Sequence, residues 1–86
     1  MDKDNDVVML LINDIAIELT GDPDSFVLEK IKDDNGTLYL IKPSTRQAAS
    51  RLIGSKGNTV EAIRTIVRNI GYRENNKYGV KVESSK

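Results

Sequence analysis

Apolar side chains along the chain follow two rhythms, one helical and one alternating. Over residues 5–20 they recur at Val8, Leu11, Ile12, Ile15 and Leu19. These offsets put them on one side of an α-helix. Met9, Leu10 and Ile17 widen the apolar surface, so this helix is covered on two sides or lends one side to an interface. Asn5 or Asp6 can cap its start, and Gly21 can stop it. Gly21-Asp22-Pro23-Asp24 reads as a turn, because proline cannot continue a helix.

The rhythm then changes. Ser25–Lys32, with Phe26, Val27, Leu28 and Ile31, predicts a strand, and Thr37–Lys42 a second one, ended by Pro43. Leu38 and Leu40 face one way, Tyr39 and Ile41 the other. Asp33-Asp34-Asn35-Gly36 joins them as a hairpin, and its Asn-Gly pair favours a type I′ turn.

Helical spacing returns after Ser44, which with Gln47 has the separation of a capping box. It predicts a second helix over Thr45–Ile53, with Ala48, Ala49, Leu52 and Ile53 on its apolar side. A third helix is predicted over Thr59–Ile70, with Val60, Ile63, Val67 and Ile70 inward and Gly71 as its stop. Arg64 and Arg68 are neighbours on another of its faces. Tyr72–Lys77 reads as a polar loop and Tyr78–Glu83 as a last strand, with Tyr78, Val80 and Val82 on one face. Residues 84–86 read as a frayed end.

The predicted order is therefore α-β-β-α-α-β in one domain over residues 1–86, with an ordered core over about 7–83. That order describes an α+β fold: a three-stranded sheet with three helices packed on one face.

The chain is organised around Ile53-Gly54-Ser55-Lys56-Gly57-Asn58-Thr59-Val60, between the second and third helices. Gly54 is placed to end one helix at positive φ, and Asn58 to cap the next, with Glu61 three residues on. The loop between has little side-chain bulk and one cation, and helix N–H groups point out of it. Such a place receives phosphate. The four letters Gly-x-x-Gly alone would equally describe an ordinary helix connection; the apolar residue before them, the flanking helices and the outer strands give them weight.

Composition narrows the chemistry. The chain has no Cys and no His, so thiolate sites, disulfides and the commonest general base are missing. It has no Walker-type Gly-Lys-Ser/Thr, no His-Glu-x-x-His and no convergent carboxylates, so no catalysis, cofactor or metal is expected. Asp2, Asp4 and Asp6 alternate like the start of a calcium loop, but the central Gly and closing Glu are missing. The acidic N-terminal residues do not look like a secretory signal. The longest mainly apolar run, Val7–Ile12, is too short to span a bilayer, and a cytoplasmic location is expected.

Net charge is zero, but its distribution is uneven. Residues 1–43 hold 4 Lys/Arg against 10 Asp/Glu, net −6; residues 44–86 hold 9 against 3, net +6. A basic half containing the glycine loop is the footprint of a nucleic-acid binder. Two faces of opposite sign could also meet in a dimer.

Leu52–Arg64 resembles the Ile-Gly-x-x-Gly core of KH domains, and the element order is that of the type II KH fold. Gly21-Asp22-Pro23-Asp24 and Ala62-Ile63-Arg64-Thr65-Ile66-Val67 extend the resemblance to the small single-KH bacterial proteins of the KhpA/YlqC family. It covers about Val7 to Glu83. The sequence departs from the family at Asn58, where a basic residue is usual, and at Ser55-Lys56, where Lys often comes first. The resemblance implies single-stranded RNA binding at Ile53, Gly54, Ser55, Lys56, Gly57, Asn58, Thr59 and Arg64. KH loops clamp about four unpaired nucleotides. Ile53, Ile63 and one strand face would then form an apolar floor for the bases. It also implies an RNA chaperone or post-transcriptional regulator linked to cell shape. As partner it implies a second copy, or a larger Jag-like KH protein. Self-association through the second and third helices near the loop is one expectation. A scaffold for protein contacts with marginal RNA affinity is the alternative that zero net charge and a single loop lysine keep open.

Overall fold

A computed structural model describes residues 6–83. The expected cap at Asn5, the Asp2 and Asp4 pattern and the frayed end over 84–86 lie outside the described residues.

Six elements follow in the predicted order: α1 (Val7–Thr20), β1 (Phe26–Asp33), β2 (Gly36–Pro43), α2 (Arg46–Ile53), α3 (Asn58–Arg73) and β3 (Tyr78–Val82). The strands form one mixed sheet in the order β1-β2-β3, with β1 antiparallel and β3 parallel to the central β2. A parallel neighbour requires a long crossover, and α2 and α3 supply it.

Alternation along β2 decides what is buried. Thr37, Tyr39, Ile41 and Pro43 point into the core, while Leu38, Leu40 and Lys42 lie on the opposite face. Val8, Ile12 and Ala16 of α1 pack on the inner face with Phe26, Tyr39 and Ile41. Leu52 of α2, Ile63 and Val67 of α3, and Val80 of β3 complete the cluster. The α1 stripe is narrower than the sequence indicates: Leu10 is 58% and Val7 71% exposed. The ring of Tyr78 meets that of Tyr39 edge-on, with centroids 5.7 Å apart.

Four local expectations are corrected. Thr45, not Ser44, caps α2: its Oγ1 accepts from the Ala48 amide at 3.0 Å. Ser44 is tied to the start of β1, its own N–H donating to the Ser25 carbonyl at 2.7 Å. The hairpin is not type I′, because positive φ is absent from Asp34 and Asn35. The Asp33 carboxylate accepts from the Asn35 amide at 2.7 Å and the Gly36 amide at 3.2 Å, which holds a turn of negative φ instead.

The third correction concerns the end of α3. Gly71 does not stop the helix; it is buried inside it, and α3 continues to Arg73. A side chain at Gly71 would lie 2.7 Å from the Asn76 carbonyl oxygen and 3.2 Å from the Tyr78 ring. Its service is close packing. Asn75, at φ 63°, makes the left-handed turn into β3. The fourth correction, at Asn58, belongs to the loop.

Candidate nucleic-acid interface

The α2–α3 connection is built by three consecutive requirements on the backbone. Gly54 closes α2, donating its N–H to the Ser50 carbonyl at 2.9 Å, and leaves at φ 80°, ψ 176°. That region is essentially reserved for glycine. A Cβ there would also fall on Thr59 Oγ1 and lie 2.8 Å from the Thr59 nitrogen. Ser55–Gly57 then form a single 3₁₀ turn, closed by the Gly57 N–H on the Gly54 carbonyl at 3.2 Å. Lys56 within it is left-handed, at φ 55°, ψ 27°.

Gly57, at φ 79°, ψ 10°, occupies the N-cap of α3. Asn58 is already helical at φ −63°, ψ −37°, so it is not the cap expected of it. Glu61 is consequently one position too far along for a capping box, and its carboxylate instead pairs with Arg64. No side chain caps the first turn of α3. The Asn58 amide donates to the Ser55 carbonyl, and beyond it the start of α3 presents its positive dipole end with no side-chain acceptor of its own.

Around this opening, Ser55, Lys56 and Asn58 are exposed, while Ile53, Gly54, Gly57 and Thr59 are half-buried. These seven are contiguous, and the fold gathers them at one end of the helical layer. Ile63 is not floor: it is 4% exposed and belongs to the core. Ile53 remains available as apolar surface beside the loop.

Arg64 is set apart from the loop. Its Nε donates to the Val80 carbonyl oxygen at 3.1 Å, and its Nη1 pairs with Glu61. β3 lies at the edge of the sheet, so this bond joins α3 to the sheet's edge strand. Spacing along α3 shows Arg64 beside Arg68 but not its strand partner. The Val80 carbonyl was missed because a backbone acceptor leaves no mark in the sequence. Arg68 is exposed.

The other cluster of polar groups lies near the α1 N-terminus. Asp6 caps α1 through the Met9 amide at 3.1 Å, accepts from the Tyr39 hydroxyl at 3.2 Å and pairs with Lys30 at 2.6 Å. Burial disfavours its charge, but Lys30, the Met9 amide and Tyr39 outweigh this and hold its pKa below the ordinary 3.8. The Tyr39 hydroxyl is pushed well above its usual range, by burial first and then by the adjacent Asp6 charge. Among the described residues no group of three His, Cys, Asp or Glu side chains converges as metal ligands. Among them, too, no helix is long and apolar enough to cross a membrane.

A Gly-x-x-Gly turn between two helices, inside an α-β-β-α-α-β chain with a mixed sheet, defines a KH domain of the second topology. The chain belongs to the KhpA/KhpB KH-domain family, whose model matches residues 9–82. Membership implies RNA binding in general and a module that is typically non-catalytic. Among solved structures, a crystal structure of Aquifex aeolicus Era bound to GDP.AlF4- matches 92% of this chain with a TM-score of 0.55 and 19% identity. The chain spans 31% of that protein's length, and the likeness is one of fold. None of the curated proteins compared with the chain matches it.

Proposed function

We propose that the chain binds single-stranded RNA, with the phosphates lying against the Gly54–Gly57 loop. The observation that carries this reading is the uncapped start of α3 behind a loop of two glycines and one exposed lysine. Gly54 and Gly57 let a phosphodiester approach the backbone, the α3 amides donate to it, and Lys56 supplies the counter-charge. Ser55, Asn58 and Thr59 offer hydrogen bonds, and Ile53 an apolar surface for a base. Arg64 joins the site when a nucleotide draws its guanidinium away from Glu61.

The chain acts without chemistry of its own, as an RNA chaperone or post-transcriptional regulator in the cytoplasm, connected with cell shape. It works as a homodimer or paired with a larger Jag-like KH protein. A scaffold with marginal RNA affinity is the second reading, favoured by the internal commitments of Arg64. Fluorescence anisotropy with an unstructured RNA across a salt series separates the two. Contact with about three phosphates gives a log–log slope near −2 on single strands; a scaffold gives no titratable binding at physiological salt.

A further inference from the structure

The helix-facing side of the sheet is not covered to its end. Two cross-strand rows close it on the hairpin side: Lys30–Tyr39–Val80, and beyond it Lys32–Thr37–Tyr78. α1 begins over the first row, where Asp6 meets Tyr39 and Lys30. The second row lines a cavity of about 250 Å³, walled by the start of α1 and by Glu74 and Asn76, which follow α3. None of the glycine-loop residues lines it.

The hydrogen bonds already made sort the cavity's groups into two kinds. Its carboxylates are engaged. Asp6 holds Lys30, the Met9 amide and the Tyr39 hydroxyl, and Glu74 accepts from the Tyr78 hydroxyl at 2.6 Å. What remains uncommitted is mostly donors. Thr37 is a buried polar residue, 9% exposed, and its hydroxyl has no hydrogen-bond partner among the described residues. Its oxygen is not sealed off, so it opens on the cavity that it lines. A hydroxyl so placed normally has a partner. Lys32, opposite it in the row, makes no ion pair among the described residues. The Asp6 side chain caps only the Met9 amide, which leaves the Val7 and Val8 amides of α1 without an acceptor there.

A hydroxyl, an ammonium and the positive end of a helix dipole together suit an oxyanion. On the other wall, the second carboxylate oxygen of Glu74 and the side-chain oxygen of Asn76 suit hydroxyl donors. Pockets for drug-sized ligands measure roughly 300–1,000 Å³, so the occupant is smaller than these.

We propose that this cavity binds a small sugar phosphate, with its phosphate on Thr37, Lys32 and the α1 amides and its hydroxyls towards Glu74 and Asn76. The inference goes beyond RNA binding at the loop and does not depend on it. A phosphorylated ribose occurs both free and at the 5′ end of an RNA, and the two sources share this chemistry.

Calorimetric titration of the full chain with ribose 5-phosphate tests the proposal, with circular dichroism to verify folding. Saturable binding of one molecule per chain at millimolar concentration or below is expected. Inorganic phosphate should bind at least tenfold more weakly, and ribose not at all. Thr37→Val, which keeps the side-chain shape, should weaken binding at least tenfold, and Thr37→Ser should restore it. Lys32→Gln, at an exposed position, should weaken it by a similar factor.

Competition separates the sources. A short RNA that displaces ribose 5-phosphate only when it carries a 5′ phosphate supports an RNA end as the ligand; displacement by neither form supports the free sugar phosphate. The proposal is overturned if ribose 5-phosphate shows no saturable binding at millimolar concentration. It is equally overturned if inorganic phosphate binds as tightly, or if folded Thr37→Val and Lys32→Gln bind as tightly as the parent.

Discussion

The guanidinium of Arg64 donates through Nε to the carbonyl oxygen of Val80, 3.1 Å away and sixteen residues further along the chain. The bond ties the helix that begins at the glycine loop to the edge strand of the sheet. Arg64→Ala should therefore lower stability by about 1 kcal/mol, the usual net worth of such a bond. For a domain of this size that is a fall in Tm of about 4–8 °C. A urea or thermal melt measures it. An unchanged melting curve would mean that water replaces the guanidinium at no cost.

The two loop glycines differ in what they tolerate. Gly57 has positive φ, but a Cβ added there would meet nothing within 4 Å, so Gly57→Ala should cost only backbone strain, about 1–2 kcal/mol. Gly54→Ala enters a backbone region essentially closed to a Cβ and also drives a methyl into Thr59 Oγ1 and the Thr59 backbone. It should cost clearly more, about 3 kcal/mol or above. Paired denaturant melts check the order; equal costs would contradict the close approach of Thr59.

Gly71 offers a contrasting case. Alanine is the better helix former by about 1 kcal/mol, so a propensity argument predicts that Gly71→Ala stabilises α3. The Asn76 carbonyl, 2.7 Å from where the methyl would sit, predicts the opposite. Net destabilisation of about 1–2 kcal/mol is expected, read from the midpoint of a urea melt.

Asp6 gives the pH dependence its sign. Its folded-state pKa lies below 3.8, so the stability it contributes is fully present well above that value. It is lost as the pH falls through the folded pKa, where the protonated carboxyl releases Lys30. Asp6→Asn keeps a capping oxygen for Met9 but no charge for Lys30. The variant should be less stable than the parent at pH 7, and the difference should shrink towards pH 3. Melts across that range follow it; a constant difference would remove Asp6 from the acid limb.

The element order, the alternation along β2, the inward face of α3 and the location of the loop were legible in the sequence, because periodic burial leaves periodic residues; which face of β2 is inward was not. Details set by tertiary competition were not. Ser44 and Thr45 are both good caps, and the Ser25 carbonyl, which engages the Ser44 amide, goes with the choice of Thr45. Asn58 and Glu61 had the spacing of a capping box, yet left-handed Lys56 and Gly57 bring the chain into the helix one residue sooner. Gly71 looked like a stop because glycine serves both as terminus and as gap, and only the position of Asn76 and Tyr78 distinguishes them. Ile63 carries two readings in the sequence, inward core of α3 and groove floor, and the first holds; apolar periodicity does not say which inward residue is fully covered.

The most direct measurement of the central claim is RNA affinity of the double variant Ser55→Asp with Lys56→Asp, across a salt series. Both side chains are exposed and both glycines remain, so stability should move by about 0.5 kcal/mol or less. Two carboxylates would then stand where a phosphate must approach the α3 amides. Affinity should fall more than tenfold, at least about 1.4 kcal/mol, and most of the salt slope should vanish while the melting temperature holds. A folded double variant that binds single-stranded RNA as tightly as the parent, with the same slope, would contradict the account and leave the loop as a turn between two helices.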